Sequence, residues 1–210
     1  MRPVIVVHGI FDPAVRIMPL VHALRRRGMP RVRRARLPAL GTTRIEVMAQ
    51  LLAMRVAHVK AEYRCARVDL VGFSMGALVA RAYLELAAGH EHIRTFVSIS
   101  GPHRGTLTAH ALPFVGVRQM RPRSELLRAL GDDVGHFPDV RVHCLYTPFD
   151  AMIVPPTSGV LKGATSVHCL HDIPAHHRML HDPRVHDLVA QLLQADNGDP
   201  QQRADVILTA

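Results

Sequence analysis

Tryptophan is absent from this 210-residue chain, and Tyr and Phe together bring the aromatic share to only 4%. So few flat rings leave little on which nucleic-acid bases could stack. No nucleic-acid motif accompanies the basic residues, so a nucleic-acid partner is not expected. Cysteine is scarce: Cys65, Cys144 and Cys169 form an odd set without CxxC spacing. That argues against a disulfide framework, fits a reducing compartment and leaves three small, buried hydrophobes. Lysine is nearly missing, since all but Lys60 and Lys162 of the 26 basic residues are arginine. No apolar run is long enough to span a bilayer. The N-terminus passes from Met1-Arg2-Pro3 straight into an apolar stretch, without the parts of a secretory signal, so a cytoplasmic location is expected. The chain carries fifteen histidines but neither HExxH nor Cys/His ligand spacing, so no metal site is expected.

With 48% hydrophobic residues, the chain can bury a sizeable core as one domain. Short apolar runs alternate with helical periodicity. Strands are expected at 4–7, 32–37, 67–71, 93–99, 140–146 and 166–170. Helices are expected at 15–27, from a Thr42 or Thr43 cap to about 62, at 75–88 and at 185–193, with a shorter helical stretch at 124–130. That alternation implies an α/β fold with a mostly parallel sheet covered on both faces. Residues 1–195 are read as that domain and 196–210 as a C-terminal tail.

"LVGFSMGALVAR", residues 70–81, is the most informative stretch. Gly-x-Ser-x-Gly between a strand and a helix suits a nucleophile, because the serine must take a strained conformation while the small flanking residues let strand and helix approach. Such a turn lifts the Ser74 hydroxyl above the C-terminal edge of the sheet, where open α/β sheets bind ligands. The N–H of Met75 opens the helix towards the same space. Serine is a weak nucleophile on its own. It needs a base to take its proton and donors to hold the resulting oxyanion.

"VDLVGFSMGALVAR", "VIVVHGIFD", "SISGPHRGT" and "YTPFDAMIVP" together resemble the bacterial lipase and esterase branch of the α/β-hydrolases, over residues 4–193. The resemblance implies an α/β-hydrolase fold, hydrolysis of carboxylic esters in lipid metabolism, and no cofactor, and the short stretch between Gly105 and Ser124 leaves room for little or no lid. Members more often have His where Phe73 stands and Gly where Ala77 stands. This fold orders its triad Ser, acid, His along the chain. Asp150 matches the acid loop, with Asp132, Asp133 and Asp172 as rivals. "HHRMLHDPRV" matches the histidine loop with His176 as base and His177 as the alternative one residue on. His181 and His186 are read as solvated residues at a helix start. The resemblance also makes Ile10 the second oxyanion donor beside Met75, with Phe11 as the fallback, and "GPHRGT" a supporting segment. Phe11, Phe73, Ile10 and Met75 are expected around an apolar acyl pocket.

The expected activity is a serine esterase or lipase acting through an acyl-enzyme on a small acyl ester or lipid. A thioesterase, lactonase or acyltransferase with the same triad is the alternative, and a binding protein on a hydrolase scaffold is a more distant one. The net charge of +9, set beside apolar Ile10, Phe11, Phe114 and Val115, also predicts weak contact with anionic membrane surfaces.

Overall fold

The computed structural model describes residues 1–10, 15–35, 37–38 and 41–196. Among these, six strands form one parallel sheet: β1 (Val4–Val7), β2 (Val32–Arg34), β3 (Val68–Phe73), β4 (Ile93–Ile99), β5 (Arg141–Tyr146) and β6 (Ser166–Cys169). Their order is β2-β1-β3-β4-β5-β6. The central strands are buried on both faces, which is why Val4–Val7 is apolar throughout and Val68–Phe73 is apolar but for Gly72 and for Asp69, a buried carboxylate paired with Arg2.

Six helices complete the described fold: α1 (Met18–Arg26), α2 (Ile45–Tyr63), α3 (Met75–Leu86), α4 (Val115–Gln119), α5 (Glu125–Leu130) and α6 (Pro183–Ala195). They cover the sheet unequally. Residues of α1 and α6 share one core with Val6, Val71 and Leu145. Residues of α2, α3 and α5 share the other with Ile5, Leu70 and Phe96. The chain therefore leaves β1 towards one face and β3 towards the other. Neighbouring strands whose connections diverge in this way open a crevice at their C-terminal ends, where ligands bind.

Several boundaries differ from the pattern in the sequence. Helix α1 starts at Met18, with a proline in its first turn, and β2 stops at Arg34. The N-cap of α2 is Arg44, and the cap is not supplied by Thr42 or Thr43. Instead the Ile45 N–H donates to Gln119 Oε1 at 2.7 Å, so α4 caps α2 across the fold. One face of α2 still carries the expected stripe of Ile45, Met48, Leu52 and Val56. Strand β3 reaches Phe73, immediately before the turn at Ser74.

Helix α6 begins at Pro183, capped by Asp182, whose carboxylate accepts the Arg184 N–H at 2.9 Å. Just past its end, Asp196 accepts from Thr95 Oγ1 at 3.1 Å and bonds His143 Nε2 at 2.9 Å. The remainder of the expected tail, 197–210, lies outside the described residues, as does Phe11. Of the three cysteines, only Cys144 is fully buried; Cys65 and Cys169 are half-buried, and all three are free. Among the described residues, no helix is long and apolar enough to cross a membrane.

Candidate active site

Ser74 sits between β3 and α3 with φ 54° and ψ −128°. That backbone conformation is costly for a residue with a Cβ, and such strain persists where the surroundings enforce it. Here they do. The Ser74 N–H donates to Ile99 O at 2.8 Å, and Ser74 O accepts from Ala77 N at 2.9 Å. The flanking glycines are dictated by close backbone approach. A Cβ on Gly72 would stand 2.5 Å from Ala77 Cα, and one on Gly76 would stand 2.2 Å from the His8 carbonyl oxygen. Ala77, at a position where a second glycine would be usual, fits because Gly101 faces it: a Cβ there would lie 2.9 Å from the Ala77 methyl.

The loop after β1 closes on the serine. A Cβ on Gly9 would approach Ser74 Cβ to 3.2 Å and the Phe73 ring to 3.1 Å, so only glycine lets this loop lie against the turn without displacing it. Ile10 follows, and its side chain borders a cleft shared with Arg16, Ser74, Met152, His176 and His177. The Met75 N–H lies in the first turn of α3, where backbone donors have no helical partner.

Asp150 and His176 are both buried, and His176 Nδ1 lies 2.6 Å from Asp150 Oδ2. The other carboxylate oxygen accepts the N–H groups of Met152 and Ile153, each at 2.9 Å. Burial alone would raise the Asp150 pKa. The bond and charge of His176, with the two backbone donors, outweigh it and hold the carboxyl below its ordinary range. An ionised Asp150 therefore accepts a hydrogen bond from Nδ1 of His176. The Phe73 ring packs 4.7 Å from the imidazole, so Phe73 steadies His176 as well as bordering the cleft.

The rivals go elsewhere. Asp132 pairs with Lys162 at 3.2 Å, Asp133 accepts the Gly135 N–H at 2.7 Å, and Asp172 is exposed beside Arg184. His177 borders the same cleft but is exposed, its ring 5.5 Å from that of His176. His181 is exposed, as expected. His186 is not a solvated residue: it is buried, and its Nε2 donates to Leu180 O at 2.8 Å.

Other contacts escaped sequence reasoning. Thr147 Oγ1 donates to Ile173 O at 2.5 Å and ties the Asp150 loop to the segment leading into His176. Within "GPHRGT", His103 is fully buried and its Nε2 lies 2.7 Å from Ser98 Oγ. Burial, reinforced by Arg81 and Arg104, pushes its pKa well below the ordinary value, so His103 is neutral. Arg81 of α3 is also wholly buried and donates to Leu130 O at 2.8 Å and Gly131 O at 3.0 Å, bracing the helix that carries the serine turn. A local GPHRGT pattern points to a supporting segment, but nothing in it names Ser98 or Arg81 as partners. Among the described residues, no group of three or more His, Cys, Asp or Glu could hold a metal.

A strained serine turn at the crevice of a parallel, doubly covered sheet defines an α/β-hydrolase. The family model of palmitoyl protein thioesterase matches residues 3–149, and the chain belongs to that family. No curated protein sequence matches it. Solved structures share the fold. Lipase B of Aspergillus fumigatus has a TM-score of 0.77 at 20% identity, covering 94% of this chain and 53% of that one. The mature lipase BlEst2 of Bacillus licheniformis has a TM-score of 0.73 at 11% identity and covers 91% of both chains. A thermophilic esterase of Thermogutta terrifontis has a TM-score of 0.65 at 16% identity, covering 94% of this chain and 91% of that one. The chain thus spans about half the length of the Aspergillus lipase.

Proposed function

We propose that the protein is a serine hydrolase that cleaves acyl esters through an acyl-enzyme. Ser74 attacks the acyl carbonyl and passes its proton to Nε2 of His176, while Asp150 holds Nδ1–H and stabilises the imidazolium that forms. The N–H groups of Ile10 and Met75 receive the oxyanion. His176 then protonates the departing alcohol, and the ester bond breaks to leave the acyl group on Ser74. Water, deprotonated by His176, releases the acid and restores the serine. Ile10, Phe73 and Met152 border the acyl group in this reading, and Phe11 is kept with them as a proposed contact. Residues 1–195 form the catalytic domain of the proposal.

The observation that carries this reading is the buried 2.6 Å contact of Asp150 with His176, which borders the same cleft as the strained Ser74. One observation favours a second reading, cleavage of thioesters by the same steps: the matching family is described as palmitoyl protein thioesterase. Fluorophosphonate labelling tests the shared chemistry. The folded wild type should be labelled and Ser74→Ala should not. An unlabelled wild type overturns both readings and leaves a binding protein on a hydrolase scaffold. Rates on p-nitrophenyl esters of graded chain length, set beside matched acyl thioesters, then separate esterase from thioesterase.

A further inference from the structure

The edge of the sheet that carries the cleft is also unusually apolar. Leu107, Leu112, Phe114, Val115, Phe149 and Met152, on segments leaving the C-terminal ends of β4 and β5, are each 37–57% exposed. They are half of the twelve large apolar side chains exposed among the described residues, so exposure is concentrated at this edge. The segments are joined there. The hydroxyls of Thr106 and Thr108 both donate to Met152 O, at 3.0 and 2.6 Å, and the Leu107 N–H donates to Val154 O at 2.9 Å. Helix α4 lies against the serine turn, since a Cβ on Gly116 would stand 2.7 Å from Met75 Cε.

Arginines occupy the same edge. A groove beside α4 is lined by Arg44, His110, Arg118, Arg121, Arg123 and Glu125. Arg44 is paired with Glu46 at 2.9 Å, and the Arg121 guanidinium donates to the neutral carbonyls of Ala109 and Leu112. Among the described residues, no carboxylate forms an ion pair with Arg118, Arg121 or Arg123. Some arginines elsewhere are matched: Arg2 pairs with Asp69, Arg27 with Asp187, Arg33 with Glu62, and Arg184 with Asp182. Three arginines without an ion pair among the described residues thus share one groove with Val115, next to the apolar side chains.

We propose that this edge docks on an anionic lipid bilayer, with the six apolar side chains entering the acyl boundary and Arg118, Arg121 and Arg123 meeting headgroup phosphates. Charge complementarity selects that occupant. An apolar rim alone would suit a neutral bilayer or a protein, whereas guanidinium groups without carboxylate partners match phosphate oxygens in bidentate geometry. The docked orientation turns the Ser74 cleft towards the lipid, and in this respect the inference deepens the hydrolase reading and rests on it.

The test uses full-length Ser74→Ala protein, so that no lipid is consumed. It is sedimented with vesicles of phosphatidylcholine alone and of phosphatidylcholine mixed with phosphatidylglycerol, at low and high salt. Binding should be stronger to the anionic vesicles. Salt should reduce it, because charge is screened beyond about 8 Å at physiological ionic strength, while burial of apolar groups survives. Arg118→Gln combined with Arg123→Gln should weaken partition about thirty-fold, at about fivefold per arginine near an anionic surface. Arg26→Gln combined with Arg64→Gln removes equal charge from the opposite edge and should change little. Leu112→Ser combined with Phe149→Ser should abolish the salt-resistant part, with circular dichroism confirming that each variant is folded.

Equal binding to neutral and anionic vesicles, no binding to either, or an equal loss in the Arg26/Arg64 pair overturns the proposal. Wild-type turnover of a dissolved short-chain ester is measured beside it. Turnover without vesicle binding removes the docking surface and keeps the hydrolase, whereas vesicle binding without turnover or labelling removes the hydrolase reading.

Discussion

Replacing Ser74 by alanine and by glycine separates the chemistry of this residue from the strain it carries. Both variants lack the hydroxyl, so each should lose about three decades or more of ester hydrolysis. They should differ in stability. At φ 54° and ψ −128°, a residue with a Cβ stores about 1–3 kcal/mol. Alanine keeps its Cβ and with it that cost. Glycine is free of it but loses about 0.5–1 kcal/mol more backbone entropy on folding. The difference leaves Ser74→Gly at least as stable as Ser74→Ala, by up to about 2.5 kcal/mol. In a domain of this size that is a rise in Tm of up to about 10 °C. Urea unfolding of the two inactive proteins under one set of conditions measures it, free of any effect of turnover. A glycine variant less stable than the alanine variant would refute the reasoning, because it would mean that the turn stores no strain. Turnover near the wild-type level in folded Ser74→Ala would end the serine mechanism itself.

Other outcomes follow from the same geometry. His176→Ala should lose activity as fully as Ser74→Ala, and His177→Ala should keep most of it. Initial rates on a dissolved ester decide, and the reverse order would move the base by one residue. Gly76→Ala should cost about 3 kcal/mol or more, seen as a lower urea midpoint or a failure to fold, because the new methyl meets the His8 and Val7 carbonyl oxygens at 2.2 and 2.6 Å, on a central strand that cannot retreat. Stability should also fall in acid. His103 has a folded pKa depressed by burial, so the neutral form's stability is fully present above the ordinary histidine value of about 6.5 and is lost as pH falls towards the folded value. His103→Gln should flatten the decline of the urea midpoint below neutral pH, and an unchanged slope would count against a buried neutral imidazole.

The serine turn was legible because its requirements are local. Gly72, Ser74 and Gly76 lie within five residues, between a mostly apolar strand and a helix, so the pattern is read from neighbours in the chain. The parallel α/β architecture was legible for a related reason, since strands buried on both faces carry no polar alternation. Element ends were less so. The cap of α2 comes from Gln119, 74 residues away, and no pattern around Thr42 and Thr43 announces it.

For the partners of Ser74, chain order and loop resemblance narrowed fifteen histidines to an adjacent pair, but which of the two turns inward depends on packing. His176, Met179 and Leu180 bury one side of a single 3₁₀ turn, while His177 and Arg178 remain outside. That inward side is what brings Nδ1 to Asp150, 26 residues earlier and on a loop from another strand. The arginines follow the same logic. Their number and net charge were written in the composition, but only the fold gathers Arg118, Arg121 and Arg123, none with an ion pair among the described residues, into one groove beside exposed apolar side chains. Short-range geometry is encoded in spacing along the chain, whereas contact between distant loops exists only once the core has set their positions.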